Sequence, residues 1–230
     1  DMYEDDAYAD EGEGEAGGGA RGGEEEGEEG EGRGDSGDFF DRFDSFAAAD
    51  AALEESLEEN LFGQHLVLSL VSKAVRAHVK KREPKKALVM SFHGWTGSGK
   101  NFVAKFLVES LFKLGMSSKF VHLFISTLHF PNNGKADIYK LNVQDWIRGN
   151  VSQCENSVFI FDEIDKMPEG MIDGIKPFID HHESVGGKNF RRAIFIFLSN
   201  TGGRDITKAT HKFWSEGRQR EQLPPFPLCL

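Results

Sequence analysis

An apolar run, Ala87-Leu88-Val89-Met90-Ser91-Phe92, leads into Gly94-Trp95-Thr96-Gly97-Ser98-Gly99-Lys100-Asn101, and a helix-period segment follows over 102–114. Strand, glycine-rich loop and helix in that order leave few folds open. This is the setting in which backbone N–H groups close around phosphate oxygens. Glycines give the loop its freedom, and the helix N-terminus adds partial positive charge. Lys100 is expected to reach the β- and γ-phosphates of a nucleotide. The next residue departs from the usual pattern. Ser or Thr commonly offers a hydroxyl to Mg²⁺ there; this chain has Asn101, whose amide oxygen becomes the candidate ligand.

The remaining pattern extends the same architecture. Strands are expected at 88–92, 120–126, 157–161 and 193–198, and helices at 101–114, 136–153, 170–181 and 205–214. Helix-prone segments at 47–60 and 62–81 come first, after an aromatic and aspartate-rich stretch at 39–46. Gly186-Gly187 marks a turn. Apolar strands alternating with helices mean an α/β fold with a mainly parallel sheet. No internal repeat is visible.

Two further elements belong with the loop. Val158-Phe159-Ile160-Phe161 runs straight into Asp162-Glu163. A strand ending in two carboxylates places both at the sheet's carboxyl edge, beside the phosphate loop. Asp162 is expected to hold Mg²⁺, directly or through water. Glu163 is expected to position and polarise an attacking water. Phe195-Ile196-Phe197-Leu198-Ser199-Asn200 also ends in a polar residue at that edge, so Asn200 is placed to sense the γ-phosphate and orient the water. Taken alone, an asparagine after a strand is ordinary turn chemistry.

Charge is divided unevenly. Residues 1–38 hold 16 acidic and 2 basic residues, a net of −14, whereas the other 192 residues carry a net of +3. A Glu/Gly segment with almost nothing apolar to bury is expected to stay disordered. The near-neutral remainder gives no argument for nucleic acid, and none is expected as a partner. The basic connector 80–86 reads as a solvated linker, with a nuclear localisation signal as the alternative. Two cysteines, Cys154 and Cys229, make no disulfide framework, and Cys154 is expected to pack as a small apolar residue. His181-His182-Glu183 lacks the i, i+4 histidine pair of a zinc helix and reads as a helix-end charge cluster. Asn150-Val151-Ser152 is an N-glycosylation sequon, a triplet that also arises by chance.

Leu61-Phe62-Gly63-Gln64-His65 opens the helix ahead of the first strand. In AAA+ ATPases of the Clp type, a Gly-Gln step at this distance before the loop borders the adenine pocket. The order Gly63-Gln64, phosphate loop, Asp162-Glu163 and Asn200 therefore resembles an AAA+ module. The loop, with Asn101 after its lysine, is similar to that of the torsin family. So are Glu58-Glu59-Asn60-Leu61, Val121-His122-Leu123-Phe124, Thr127-Leu128-His129-Phe130-Pro131, Trp146-Ile147-Arg148-Gly149-Asn150-Val151-Ser152 and Phe161-Asp162-Glu163-Ile164-Asp165-Lys166-Met167. The likeness spans roughly residues 39–222. It implies an ATP- and Mg²⁺-dependent protein of the endoplasmic reticulum lumen and nuclear envelope, acting in protein remodelling or quality control. It also implies a glycan at Asn150, homo- or hetero-oligomers, and a catalytic arginine borrowed from a membrane-anchored lumenal activator of the lamina-associated polypeptide type.

Both ends depart from that family. Residues 1–38 show no counterpart of its signal peptide and hydrophobic amino-terminal segment. After Glu221 the chain reads Gln222-Leu223-Pro224-Pro225-Phe226-Pro227-Leu228-Cys229-Leu230, where the family continues into a fifth strand and a helical lid. The expectation is a truncated chain: an acidic tail at 1–38, helices and linker at 39–86, a nucleotide-binding core at 87–222 and a divergent end at 223–230. Without a fifth strand, strand one becomes a sheet edge. Arg204, Arg218 and Arg220 follow Asn200, and none is singled out as catalytic. The 127–135 loop lacks an aromatic-apolar-glycine pore signature. The leading reading is an ATPase latent until activated. Its rivals are a nucleotide-binding interaction module without turnover and an unrelated P-loop enzyme such as a kinase.

Overall fold

The computed structural model describes residues 59–61, 64–182, 184–219 and 222. The acidic tail, the 39–46 stretch, Gly63, Glu183, Arg220, nearly all of the 47–60 segment and the end at 223–230 lie outside the described residues.

Among these residues four strands form one parallel sheet: β1 (Leu88–His93), β2 (Val121–Ile125), β3 (Val158–Asp162) and β4 (Ile194–Ser199), in the order β1-β4-β3-β2. Helix α1 (His65–Val79) precedes β1; α2 (Lys100–Leu111), the single turn α3 (Ser126–His129), α4 (Ala136–Gln153) and α5 (Met171–Ile179) lie between strands; and α6 (Gly203–Ser215) follows β4. Among the described residues β1 is an edge strand, as expected, and every residue of the central strand β4 is buried.

The two sheet faces differ in chemistry because side chains alternate along a strand. Val158, Ile160, Ile194, Ile196 and Leu198 face an aliphatic core shared with Val103, Leu107, Val108 and Leu111 of α2 and Val71 and Val75 of α1. Phe159, Phe161, Phe195 and Phe197 face an aromatic core with Val143 and Ile147 of α4 and Ile175 and Phe178 of α5. Parallel register stacks these rings across strands. His122, Phe159 and Phe195 form one ladder, with centroids 5.1 and 5.2 Å apart. Phe124, Phe161 and Phe197 form a second, at 5.0 and 5.4 Å, under the carboxyl edge. Cys154 is buried in the aliphatic core, as expected.

Several boundaries differ from the sequence reading. The helix expected over 101–114 ends at Leu111, because Phe112 turns extended (φ −125°, ψ 135°) and buries its ring completely. The helix expected over 170–181 runs Met171–Ile179, with Gly170 left-handed before it. The 127–135 segment is not a plain loop: it begins inside α3 and ends in a 3₁₀ turn at Asn133–Lys135. Gly186 and Gly187 do turn the chain, with φ of 59° and 75° between the bridged pair Val185 and Lys188.

Candidate nucleotide site

The phosphate loop leaves β1 at its carboxyl end and returns as α2. Gly99 caps α2 at φ 95°, a conformation that costs an L side chain about 1–2 kcal/mol. No side chain caps the first turn of α2, which leaves N–H groups directed at the loop's concavity. Gly94 is buried, whereas Trp95, Thr96, Gly97 and Ser98 are exposed. The loop is held partly by Ser98 N–H donating to Trp95 O at 3.1 Å.

Lys100 spends all three ammonium donors within the protein. It donates to Gly94 O at 2.9 Å, Trp95 O at 3.1 Å and Asn200 Oδ1 at 2.9 Å. Partial burial lowers its pKa, with Asp162 and Asp165 opposing that effect. Strand order explains the meeting of Lys100 and Asn200. β4 lies beside β1, so its end sits next to the loop.

The acid pair lies one strand further. Asp162 Oδ2 accepts from Asn101 Nδ2 at 2.7 Å, and Oδ1 accepts from the Glu163 N–H at 2.8 Å. Glu163 is left-handed at φ 55°, the sole non-glycine residue with positive φ among those described. Lys166 Nζ and Thr127 Oγ1 each donate to one of its carboxylate oxygens, both at 2.6 Å. The bond from Lys166, followed by that from Thr127, holds the Glu163 carboxyl below the usual range.

Sequence reasoning gave Thr127, Asp165 and Lys166 no role. Asp165 Oδ1 accepts the Asn200 N–H at 3.0 Å and the Ser199 hydroxyl at 3.4 Å, fixing the turn after β4. Ser126 is fully buried and donates to Asp162 O at 2.8 Å, tying β2 to the acid pair. Gln64 stands half-buried just ahead of α1, and its expected partner Gly63 lies outside the described residues. Arg204 lies over the Trp95 ring at 5.8 Å, whereas Arg218 pairs with Glu216 at 3.2 Å. A small cavity lined by His78, Asn156 and Arg192 lies at the strands' amino ends, away from this chemistry.

Among the described residues no three His, Cys, Asp or Glu side chains are grouped to hold a metal. Asp162 and Asn101 supply one carboxylate and one amide. That donor set does not make a resident cage. It fits Mg²⁺ arriving on a polyphosphate, which takes one or two protein oxygens and the rest from phosphate and water.

A parallel sheet of order β1-β4-β3-β2, with a phosphate loop after β1, two acids after β3 and an asparagine after β4, defines the chain as an α/β domain of the P-loop class. The comparisons agree and go further. The family model described as Torsin matches residues 42–161. A Caenorhabditis elegans protein described as "Torsin-like protein" is 43% identical over 171 residues, covering 74% of this chain and 48% of that protein. The chain belongs to the torsin family of AAA+ ATPases. It spans about half the length of that relative. The solved Saccharomyces cerevisiae Hsp104–ADP complex shares the fold, with a TM-score of 0.54 and 22% identity over 79% of this chain and 34% of that one.

Proposed function

We propose that this chain binds ATP with Mg²⁺ at the loop 94–101 and contributes the hydrolytic core of a torsin-type ATPase. The observation that carries this is the convergence of Lys100, Asn101, Asp162 and Asn200 from three different strand ends, as two hydrogen-bonded pairs, Lys100 with Asn200 and Asn101 with Asp162, set side by side by the adjacency of Lys100 and Asn101. Lys100 would exchange a backbone acceptor for a phosphate oxygen. Asn101 and Asp162 would hold the metal, which when bound offsets charge developing on the phosphate oxygens. Glu163 would take a proton from the attacking water, and Asn200 would orient that water. Gly63 and Gln64 are assigned to the adenine side.

The whole protein's role follows the family reading. It would act on proteins in the endoplasmic reticulum lumen or nuclear envelope. An oligomeric partner or membrane-anchored activator would bring an arginine to stabilise the transition state, a contribution worth roughly 10³–10⁵ in rate in comparable GTPases. Asn150 would carry a glycan. Nucleic acid has no place in this scheme.

A second reading, nucleotide binding without turnover, is favoured by one observation. Both Glu163 carboxylate oxygens are occupied by donors, which makes the group a weak proton acceptor as it stands.

Titration of labelled ATP with Mg²⁺ against wild type and Lys100→Ala tests the binding site. Loss of at least about tenfold in affinity is expected, the worth of one charge-assisted hydrogen bond. Equal affinities would remove Lys100 from the site. Phosphate release with and without an activator's lumenal domain, using Glu163→Gln as the blank, separates the two readings. Stimulation absent from the blank supports hydrolysis, and none supports the binding module.

A further inference from the structure

Gly203 is the one buried residue of α6. Its burial is a contact of backbone on backbone. A Cβ built there would stand 2.8 Å from Trp95 N, 3.0 Å from Gly94 C and 3.0 Å from Trp95 Cα. Glycine is therefore required for lack of bulk, since any side chain would push α6 off the phosphate loop. The neighbouring Arg204 extends the contact by lying over the Trp95 ring at 5.8 Å. Two backbone bonds lace the same region: Gly94 N–H donates to Ser199 O at 3.2 Å, and Gly203 N–H donates to Asn200 O at 3.1 Å.

We propose that Gly203 is a positioning residue for the phosphate loop, the seat through which α6 registers whether Lys100 is engaged with phosphate. The inference rests on the nucleotide reading of Lys100. An ammonium has three donors, and here all three are taken, by Gly94 O, Trp95 O and Asn200 Oδ1. Lys100 can reach a phosphate only by releasing at least one. Each of those acceptors belongs to a residue that touches the start of α6. The backbone of Gly94 and Trp95 meets Gly203 directly, and Asn200 accepts the Gly203 N–H. An exchange at Lys100 therefore alters the seat whichever acceptor is given up. Among the described residues little else fixes α6: Ile206, Ala209 and Phe213 are only half-buried and Trp214 is 71% exposed. A change at the seat reorients a helix most of whose residues are exposed among those described.

The test compares full-length wild type, Gly203→Ala, Arg204→Ala and, as a control on the solvent side of α6, Lys208→Ala. In the first arm, hydrogen–deuterium exchange is followed without nucleotide. Amides at 94–99 are expected to exchange several-fold faster in Gly203→Ala, and by a smaller factor in Arg204→Ala, which adds no bulk. Strand β3 should stay as protected as in wild type and Lys208→Ala. Unchanged loop exchange in both variants overturns the seat. Should Gly203→Ala lose β3 protection, Arg204→Ala decides alone. In the second arm, MgATP is titrated. Gly203→Ala is expected to bind about tenfold more weakly. MgATP should change the exchange of residues 203–215 in wild type but not in Gly203→Ala. Equal affinity, or no response of α6 in a wild type that binds ATP, overturns the coupling. A wild type that binds no ATP removes the nucleotide reading and the coupling with it, while the first arm still decides whether Gly203 seats the loop.

Discussion

Asn101 donates its side-chain N–H to Asp162 Oδ2 at 2.7 Å, so the residue that stands where a metal-binding hydroxyl is usual is bonded to the acid expected to hold the metal. A metal at Asp162 must compete with that donor. Asn101→Thr removes the competition and supplies a hydroxyl. The Mg²⁺ concentration giving half-maximal ATP binding is expected to fall in this variant. Titration of Mg²⁺ at fixed ATP measures it, and an unchanged midpoint would show that Asn101 does not restrain Asp162.

Glu163 and Asp162 are assigned different tasks, so they should separate by mutation. Glu163→Gln keeps the size of the side chain and leaves Asp162 in place, and MgATP binding is expected to hold or tighten. Lys166→Ala removes the main influence that holds the Glu163 carboxyl low, so that carboxyl should titrate higher. Carboxyl carbon chemical shifts followed against pH read this directly. Loss of nucleotide binding in Glu163→Gln would show that the two acids do not divide the work in this way.

Phe161 lies immediately before Asp162 and stacks between Phe124 and Phe197. Its side chain is fully buried. Phe161→Ala is expected to cost about 3–5 kcal/mol in a denaturant unfolding experiment, the usual range for an aromatic ring removed from a core. Phe161→Leu should recover much of that loss. A cost below about 1 kcal/mol would mean that the ladder relaxes around the gap.

His122 gives a stability that depends on pH. Burial lowers its pKa to about 4. Its Nδ1 accepts the Trp146 indole N–H at 3.4 Å, and its Nε2 is buried without a partner. The unfolded chain takes up this proton near the ordinary histidine value of about 6.5, whereas the folded chain does so only near 4. Between those values the unfolded state binds more protons, so stability falls as pH drops through the window and levels off below it. His122→Phe should remove that part of the pH dependence. It should also stabilise the protein at pH 7 by roughly 1 kcal/mol by deleting an unsatisfied buried group. Thermal melts from pH 4 to 7 give both effects, and parallel curves for the two proteins would exclude His122 as the source.

Much of this fold is written in local pattern. The alternating apolar runs and helix-period segments mark the strands and helices, and the loop 94–101 and Asp162-Glu163 mark strand ends. What could not be read depends on which strands are neighbours. Thr127 follows a strand as threonines commonly do, and it matters only because β2 lies beside β3, which brings its hydroxyl to Glu163. Asp165 reaches Asn200 across 35 residues, and no spacing announces that. The early end of α2 has a similar origin. Phe112 continues the helical pattern, but the core draws its ring in and breaks the helix. Asn101 was legible as a departure from pattern; the direction of its amide was not.

The strand order has a kinetic side. β1 and β3 are not bonded to each other; each is bonded to β4, the last of the described strands in the chain. Until residues 194–199 are in place, a gap one strand wide separates the loop from the acid pair. Contacts spanning 61 and 100 residues, Asn101 with Asp162 and Lys100 with Asn200, wait on that insertion. Closing such distances costs chain entropy before any bond rewards it, and folds dominated by them form slowly. On the ribosome, the segment that carries Lys100 emerges early, yet its surroundings cannot be completed until the strand ending at Ser199, made about a hundred residues later, takes its place between β1 and β3.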